Sequence, residues 1–375
     1  MAYSTGGSGS GLTDLMDAIR AFALGLGWTI DKWDAPNRLL FMSKGIATIT
    51  MKGDLTQTRR QYSGVSGSGV FADVADGRIY FAMGTANDAG SLNYYGHPGS
   101  PVLSAYDTDA PLINHLEGPY IGWFLFADPT VSDHIHVVVQ ISAEVYKHFS
   151  LGFVDKKGLT HAGVAYVTTC PTPSFRTTSV FNGASNGQHN WPGNHHLPFQ
   201  SWSDRAGAIH SAGSYEEAPP ILLKNSDAWP ALWLGPVASK NGSGTLFGTS
   251  LTLNQAGTAY QPSVWPAFHS PPRLLHQVVQ AEPAPYSNTL PLFHLPCFRL
   301  HYNSADPDSR RICYVGDFPN VRACNMTNLA PGQEITVDTD DYKVFPVTRQ
   351  EQWANSRLFD APTSGQFAIA YKKVP

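Results

Sequence analysis

Charged side chains are scarce in this chain of 375 residues. Asp, Glu, Lys and Arg make up 14% of it, whereas they make up about 25% of an average soluble protein. Basic residues form no run longer than two, and the formal net charge is −4. Because a protein that binds nucleic acid through its phosphates needs a basic patch or stripe, we expect no direct binding of nucleic acid.

Long apolar runs and cysteine motifs are absent as well. No apolar run approaches the roughly 18 residues of a membrane-spanning helix, and the first residues lack the pattern of a secretory signal peptide. We therefore expect neither a membrane span nor a signal peptide. Cys170, Cys297, Cys313 and Cys324 form no CxxC pair. Since a chain of this length does not need disulfide staples, we interpret them as free buried thiols.

Motifs of common active sites are incomplete. GASNG at 183–187 matches the letters GxSxG, but the residues that follow cannot open the helix that a nucleophile elbow requires. GSGVFA at 67–72 matches a dinucleotide-binding pattern, yet β-prone residues follow where a helix should begin. We interpret both as chance matches, and we predict no catalytic residue and no cofactor site.

Histidines cluster without forming a recognisable metal site. His189, His195 and His196 lie within eight residues, and His134 and His136 alternate along a predicted strand. Neither an HExxH motif nor a flanking carboxylate accompanies them. We interpret the first three as loop histidines bonded to backbone. We expect His134 and His136 to share one strand face, towards solvent or a subunit seam.

Acidic residues also cluster, at 107–109 and at 338–341. The two carboxylates of a glycosidase must face each other across a cleft, ~5 to 10 Å apart, and neighbours in one turn do not achieve this. The DTDD sequence at 338–341 also lacks the form of an EF-hand loop. We interpret both clusters as solvated turns, and we predict that the chain binds no metal and is not an enzyme.

Turn-forming and aromatic residues are, by contrast, abundant. Thirty-four glycines and 28 prolines make up about 17% of the chain, against about 12% on average. Aromatic residues make up a further 12%. Many turn-formers and aromatics with few charges favour β-structure joined by long ordered loops.

One helix is predicted near the N-terminus. Thr13 is suited to the N-cap, Asp14 and Asp17 fall in the first turn, and Gly25 or Gly27 can end the helix. We expect its apolar stripe to cover a sheet. The stripe has helical spacing and consists of Leu12, Leu15, Met16, Ile19, Phe22, Ala23 and Leu26.

These patterns divide the chain into four segments. Residues 1–11, with STGGSGSG at 4–11, predict a flexible N-terminal arm. Residues 12–170 hold the helix and strand-like runs between short turns, which predict an antiparallel β domain. Residues 171–290, rich in Trp, Pro and Gly, predict a long ordered excursion, and residues 291–375 a C-terminal β domain. The predicted class is mainly β, with antiparallel sheets in β-sandwich-like domains, one amphipathic helix and long ordered loops.

The C-terminal domain contains a clear hairpin. Pro331 and Gly332 fit the two central positions of a type II turn. EITV at 334–337 and YKVFPV at 342–347 then fit two strands, joined by the polar DTDD turn.

Three parts of the chain carry motifs that match a known pattern. At the start, a Ser/Thr/Gly-rich arm leads into a helix of the form DLLxxLRxFxxxxGW, matched at Asp14, Leu15, Ile19, Arg20, Phe22, Gly27 and Trp28. In the centre, the phrase HLxFGxLxKxG is matched at His148, Phe149, Gly152 and Lys157. Near the end, the closing motifs are matched at Asn325, Met326, Leu329, Pro331, Gly332, Phe345, Pro346, Ala370, Tyr371 and Lys372. Taken together, these motifs resemble those of a family of virion structural proteins from tailed bacteriophages.

The resemblance implies a role in assembly. It implies a structural subunit of a phage particle, in the tail or in the neck or baseplate, assembled in the host cytoplasm and located in the virion. Its partners would be copies of itself and other phage structural proteins, and the family carries no catalytic residues to transfer. Low surface charge is also suited to a subunit with large interfaces.

The aromatic residues of the excursion are the candidates for interface contacts, because rigid aromatic anchors dominate interfaces. The candidates are Trp191, Trp202, Trp229, Trp233 and Trp265, and packing in an ordinary core is the alternative for each. Two other functions remain open. Tryptophan and tyrosine can stack on sugars, which suits a carbohydrate-binding receptor module, and a tail-borne glycan hydrolase would need two carboxylates across a cleft.

Overall fold

The predicted class is confirmed in a computed structural model: the described part of the chain is mainly β, with antiparallel sheets and one helix. Within the described residues no helix is long and apolar enough to cross a membrane. The structure describes residues 3–63, 70–100, 111–143, 145–155, 164–169, 221–225, 232–233, 292–303, 306–326, 329–347 and 367–374.

Helix α1 spans Leu12–Gly25 and buries the predicted stripe, except that Leu26 is only partly buried. Its N-cap is Gly11, not Thr13 as predicted. The Gly11 N–H donates to the Asp14 carboxylate at 3.0 Å. An acidic side chain in the first turn can thus satisfy the backbone at the helix start and also interact with the helix dipole.

A five-stranded antiparallel sheet, the helix-side sheet, packs against α1. Its strand order is β2-β3-β4-β7-β8. The strands are β2 (Thr29–Asp34), β3 (Leu39–Lys44), β4 (Ala47–Asp54), β7 (Arg78–Gly84) and β8 (Leu112–Ile113). Between β4 and β7 the chain forms a separate two-stranded ribbon of β5 (Thr58–Ser63) and β6 (Val70–Ala75).

A seven-stranded antiparallel sheet, the central sheet, has the order β1-β9-β10-β11-β12-β13-β14. Its strands are β1 (Tyr3–Gly6), β9 (Gly122–Asp128), β10 (Ser132–Gln140), β11 (Tyr146–Phe153), β12 (Val164–Thr169), β13 (Ile221–Asn225) and β14 (Leu232–Trp233). Strands β9–β12 lie within the antiparallel β domain predicted for residues 12–170. Residues 3–6 are a strand rather than part of a flexible arm, because they pair with β9. Two strands from the predicted excursion continue the sheet beyond residue 170.

A second five-stranded sheet, the C-terminal sheet, has the order β15-β16-β19-β18-β17. Its strands are β15 (Phe293–Asn303), β16 (Asp306–Asn325), β17 (Glu334–Val337), β18 (Asp340–Pro346) and β19 (Phe367–Lys372). The predicted hairpin is confirmed as β17 and β18. Gly332 has the positive φ of 76° that its turn position requires, and the Gln333 N–H closes the turn on the Ala330 carbonyl at 3.0 Å.

The central sheet is covered on both faces. On one face, Phe149 packs against Phe81 of the helix-side sheet, with ring centroids 5.4 Å apart. On the other face, Phe126 stacks on Tyr371 of the C-terminal sheet at 5.2 Å. Side chains alternate between the two faces along each strand. The fold is therefore a three-layer β-sandwich-like arrangement with the central sheet inside.

The packing of α1 on β4 depends on a glycine. A methyl group added at Gly53 would lie 2.7 Å from the Met16 sulfur and 3.2 Å from a methyl of Leu12. We expect Gly53→Val to lower the free energy of unfolding by about 1–3 kcal/mol, because a well-packed core resists added volume. Urea unfolding measures this change.

Gly25 provides the matched control, since a methyl group added there meets nothing within 4 Å. We expect Gly25→Ala to leave stability unchanged or to raise it by up to about 1 kcal/mol, because alanine favours helix. Equal stability of the Gly53→Val protein and the wild type would contradict the packing of α1 on β4.

Candidate functional site

A group of polar side chains lies inside the interface between the central and C-terminal sheets. We call it the histidine seam, and its members are all fully buried: His136, His148, Ser150, Tyr166 and Tyr371. The first four come from β10, β11 and β12, at alternating positions that face the C-terminal sheet. Polar groups buried in this way need hydrogen-bond partners inside the protein.

The first half of the seam is a chain of hydrogen bonds from Tyr166 to the C-terminal sheet. His136 Nε2 lies 2.7 Å from the Pro319 carbonyl oxygen, and Nδ1 lies 2.6 Å from Ser150 Oγ. A carbonyl only accepts, so Nε2 carries the proton and Nδ1 of the neutral ring accepts from Ser150. Ser150 Oγ is 2.8 Å from the Tyr166 hydroxyl, which therefore donates to it.

The second half repeats the same arrangement. His148 Nε2 donates to the Pro346 carbonyl at 2.9 Å, and His148 Nδ1 accepts from the Tyr371 hydroxyl at 2.9 Å. Pro346 lies in β18 and Tyr371 in β19. Each histidine of the seam thus joins the central sheet to a backbone carbonyl of the C-terminal sheet.

Both seam histidines are neutral at pH 7. Burial lowers the pKa of His136 well below the ordinary value of 6.5, and the adjacent His134, whose ring centroid is 4.5 Å away, lowers it further. Burial lowers the pKa of His148 to about 4, although the bond to Pro346 acts in the opposite direction. The neutral rings agree with the donor and acceptor roles given above.

The seam contains a serine–histidine pair at a distance that hydrolases use, yet its setting differs from that of a nucleophile. Ser150 and His136 are both fully buried, so a substrate would have to separate the two sheets to reach them. The second ring nitrogen binds a carbonyl rather than the carboxylate that orients a catalytic histidine. This arrangement joins two sheets.

A second buried polar cluster lies at the end of β7. The Arg78 Nε donates to the Asp76 carboxylate at 2.6 Å, and both side chains are almost completely buried. The other oxygen of Asp76 accepts from the His115 backbone N–H at 3.0 Å. The ion pair thereby anchors the segment around residue 115 to the helix-side sheet.

The sequence-based interpretation of His134 and His136 is wrong in one respect. They do share a strand face, as predicted, but that face is buried against the C-terminal sheet instead of lying in solvent or at a subunit seam. The alternation of His and Ile in HIH predicts that the two histidines share a strand face. It does not predict that another sheet buries that face. Ser150 and Tyr166 were not predicted as site residues. The alternation of polar and apolar residues along β11 is the signal that could have identified Ser150.

The remaining predicted residues are placed as follows. Trp233 pairs through its backbone with Leu222 in the central sheet. Cys324 is a free, buried thiol as predicted, and burial raises its pKa to about 12. The other interface candidates and the loop histidines lie outside the described residues: Trp191, Trp202, Trp229, Trp265, His189, His195 and His196.

The acidic turn at 338–341 is solvated, as predicted. Asp338 and Asp341 are exposed, Asp340 pairs with Lys372 at 2.9 Å, and Asp341 accepts from the Thr336 hydroxyl at 2.7 Å. In the part of the chain that the structure describes, no group of three or more His, Cys, Asp or Glu residues is placed to hold a metal ion.

Comparison with known proteins gives no assignment. No protein-family model matches the chain, and no curated protein matches its sequence.

The seam predicts a specific loss of stability in acid. An unfolded histidine binds a proton near pH 6.5, whereas folded His148 binds one only near pH 4. Between these values the unfolded state holds more protons, so the free energy of unfolding falls as pH falls. We expect His148 to account for roughly 3 kcal/mol of this fall, measured by urea unfolding between pH 7 and pH 4.

Glutamine at position 148 separates this effect from the titration of carboxylates. The side chain of His148→Gln can donate to the Pro346 carbonyl but does not titrate, so its stability should fall less steeply between pH 6.5 and pH 4. His294→Gln is the control, because that imidazole side chain is 54% exposed and lies 3.5 Å from the Asp317 carboxylate. Its removal takes away an attraction that strengthens in acid, so it should not flatten the fall. An unchanged slope in His148→Gln would contradict the assignment.

Proposed function

We propose that this chain is a structural subunit of a tailed-bacteriophage particle, in the tail or at its neck or baseplate. It acts through contacts with copies of itself and with other particle proteins, and it catalyses no reaction. The proposal begins from the resemblance of the ends and centre of the sequence to virion structural proteins. The positions of the resembling residues in the fold support it.

One observation carries the proposal. Three residues of the resemblance, His148 from the central motif and Pro346 and Tyr371 from the closing motifs, form one hydrogen-bonded unit in the seam. His148 is separated from Pro346 by 198 residues of sequence and from Tyr371 by 223. A chance similarity of short motifs would not be expected to select residues that meet in space.

Other residues of the resemblance also serve packing. Gly152 has a φ of 136°, and a methyl group there would overlap the backbone of Asp133 and His134. Phe149 and Phe345 are fully buried in the two cores, and Trp28 is buried at the end of α1. Motifs made of packing residues are expected in a protein that acts through its shape, which supports the proposed structural role.

Two ribbons offer surfaces for contacts with neighbours. In the described residues no third strand joins β5 and β6. Within the described residues, the twenty-residue strand β16 pairs with β19 at residues 321–325, and its earlier part pairs with β15, apart from a bridge between Asp317 and Asp155. Open ribbons of this kind can extend the sheets of a partner or be covered by one.

Microscopy of particles tests the proposed role. An antibody raised against the purified chain should label particles at one position in negative stain, and preincubation with the purified chain should abolish the label. Intact particles without label would overturn the proposal. Binding of the isolated protein to a glycan array would favour the receptor module, and depolymerisation of a polysaccharide would favour the hydrolase.

If the five candidate tryptophans lie at interfaces, replacing them should impair assembly into particles without lowering the stability of the chain. We expect alanine at an interface position to reduce incorporation into particles about tenfold or more, because aromatic anchors dominate binding, while the urea midpoint stays unchanged. Incorporation is measured by quantitative mass spectrometry of purified particles. The five single variants are Trp191→Ala, Trp202→Ala, Trp229→Ala, Trp233→Ala and Trp265→Ala.

Trp28→Ala is the control. Trp28 is almost completely buried in the described core, so its loss should lower the free energy of unfolding by about 3–5 kcal/mol. If all five variants lose stability as Trp28→Ala does, these tryptophans belong to the core and not to interfaces.

A further inference from the structure

The outermost strand of the central sheet comes from the start of the chain. β1 has four residues, of which three are partly buried and one is exposed. It pairs antiparallel with β9, from Tyr3 opposite Phe126 to Gly6 opposite Trp123. A short strand with this little burial is held by few interactions.

Those interactions are nevertheless specific. The ring centroid of Tyr3 lies 5.1 Å from that of Phe126, and the Lys373 ammonium lies 5.4 Å from the Tyr3 ring centroid. Glu334 fixes Lys373 with an ion pair at 3.0 Å. The Thr5 hydroxyl donates to the Trp123 carbonyl at 3.1 Å.

The Trp123 indole selects glycine in the segment that passes beneath it. A methyl group at Gly6 would lie 2.9 Å from the indole ring, and one at Gly7 would overlap it. Gly7 also has a φ of 85°, which favours glycine. The groove along β9 therefore fits this strand and its two glycines closely, and it excludes strands with larger residues there.

A glycine- and serine-rich linker at 7–11 joins β1 to α1. It is held by two backbone hydrogen bonds to Tyr120, from Gly9 N–H at 2.9 Å and to the Ser10 carbonyl at 3.0 Å. A methyl group at Gly9 would meet nothing within 4 Å. This short linker therefore sets how far β1 can reach from the start of α1.

We propose that β1 is a donor strand, which pairs with β9 of a second copy of this chain when subunits assemble. Every copy carries both the strand and the groove, so exchange makes the same hydrogen bonds and ring contacts and changes only the path of the linker. Reciprocal exchange closes a dimer, whereas donation from each copy to the next is head-to-tail and builds a ring or a continuous row. This inference rests on the proposed assembly role.

The arrangement within one chain serves to protect β9 before assembly. Without β1, the sequence GWFLFAD of β9 would form an open sheet edge with four large apolar residues. Such edges pair with other chains indiscriminately. The chain's own strand covers the edge until a neighbour supplies the same strand.

Changing the linker length in the full chain tests the exchange. Deletion of residues 8–10 shortens the reach by roughly 10 Å, so β1 can no longer reach β9 of its own chain. We expect this protein to form concentration-dependent oligomers in analytical ultracentrifugation. Insertion of six Gly/Ser residues in the linker is the control and should not produce them.

A second substitution identifies the contact in those oligomers. Gly7→Val in the deletion variant should abolish them, because the groove under Trp123 excludes the side chain. Monomers of the deletion variant at all concentrations, or oligomers that persist with Gly7→Val, would overturn the proposal.

Cross-linking provides a measurement that does not require the deletion variant to fold. Thr5 lies opposite Phe124 in the β1–β9 register, so chains with Thr5→Cys are mixed with chains with Phe124→Cys. A mixed disulfide that neither variant gives alone shows exchange, and its absence at assembly concentrations contradicts it. Exchange by purified chains without label on particles would overturn the phage role and keep the exchange. Labelled particles without exchange by the purified chains would keep the phage role and overturn the strand exchange.

Discussion

The covering of both faces of the central sheet is the constraint on which the rest of the structure depends. A sheet exposed on one side can place its polar residues in water, whereas this sheet must satisfy them inside the protein. His136 and His148 meet this requirement by donating to carbonyls of Pro319 and Pro346. The same bonds connect the two sheets, so the device that satisfies buried polar groups also fixes the relative position of two layers.

The polar side chains that are best suited to catalysis therefore stabilise the fold instead. A serine, two tyrosines and two histidines would be a promising set in an open cleft, but here all five are sealed between sheets. The motifs that resemble virion proteins include members of this set as well as glycines and aromatics at packing positions. Together they describe a protein whose buried polar and apolar residues maintain its shape, and the proposed assembly role rests on this.

Local patterns predicted the elements that local interactions determine. The helical spacing from Leu12 to Ala23, the alternation of β9–β12 and the Pro331-Gly332 turn each depend on residues within one turn or hairpin. The failures depend on distant partners. Residues 3–6 resemble a linker in composition. They form a strand because they pair with β9, where Gly6 lies against the Trp123 ring. The HIH pattern predicted that His134 and His136 share a strand face. Their burial, however, depends on residues beyond 300 in the C-terminal sheet.

The seam bond between His148 and Tyr371 spans 223 residues, and this separation has a consequence for synthesis on the ribosome. Until β19 emerges, the C-terminal sheet that covers one face of the central sheet is incomplete, and His148 lacks its Tyr371 partner. Contacts of such long range form slowly and leave apolar surface available to other nascent chains. Docking of β19 between β16 and β18 is thus the step that completes the cover of the central sheet.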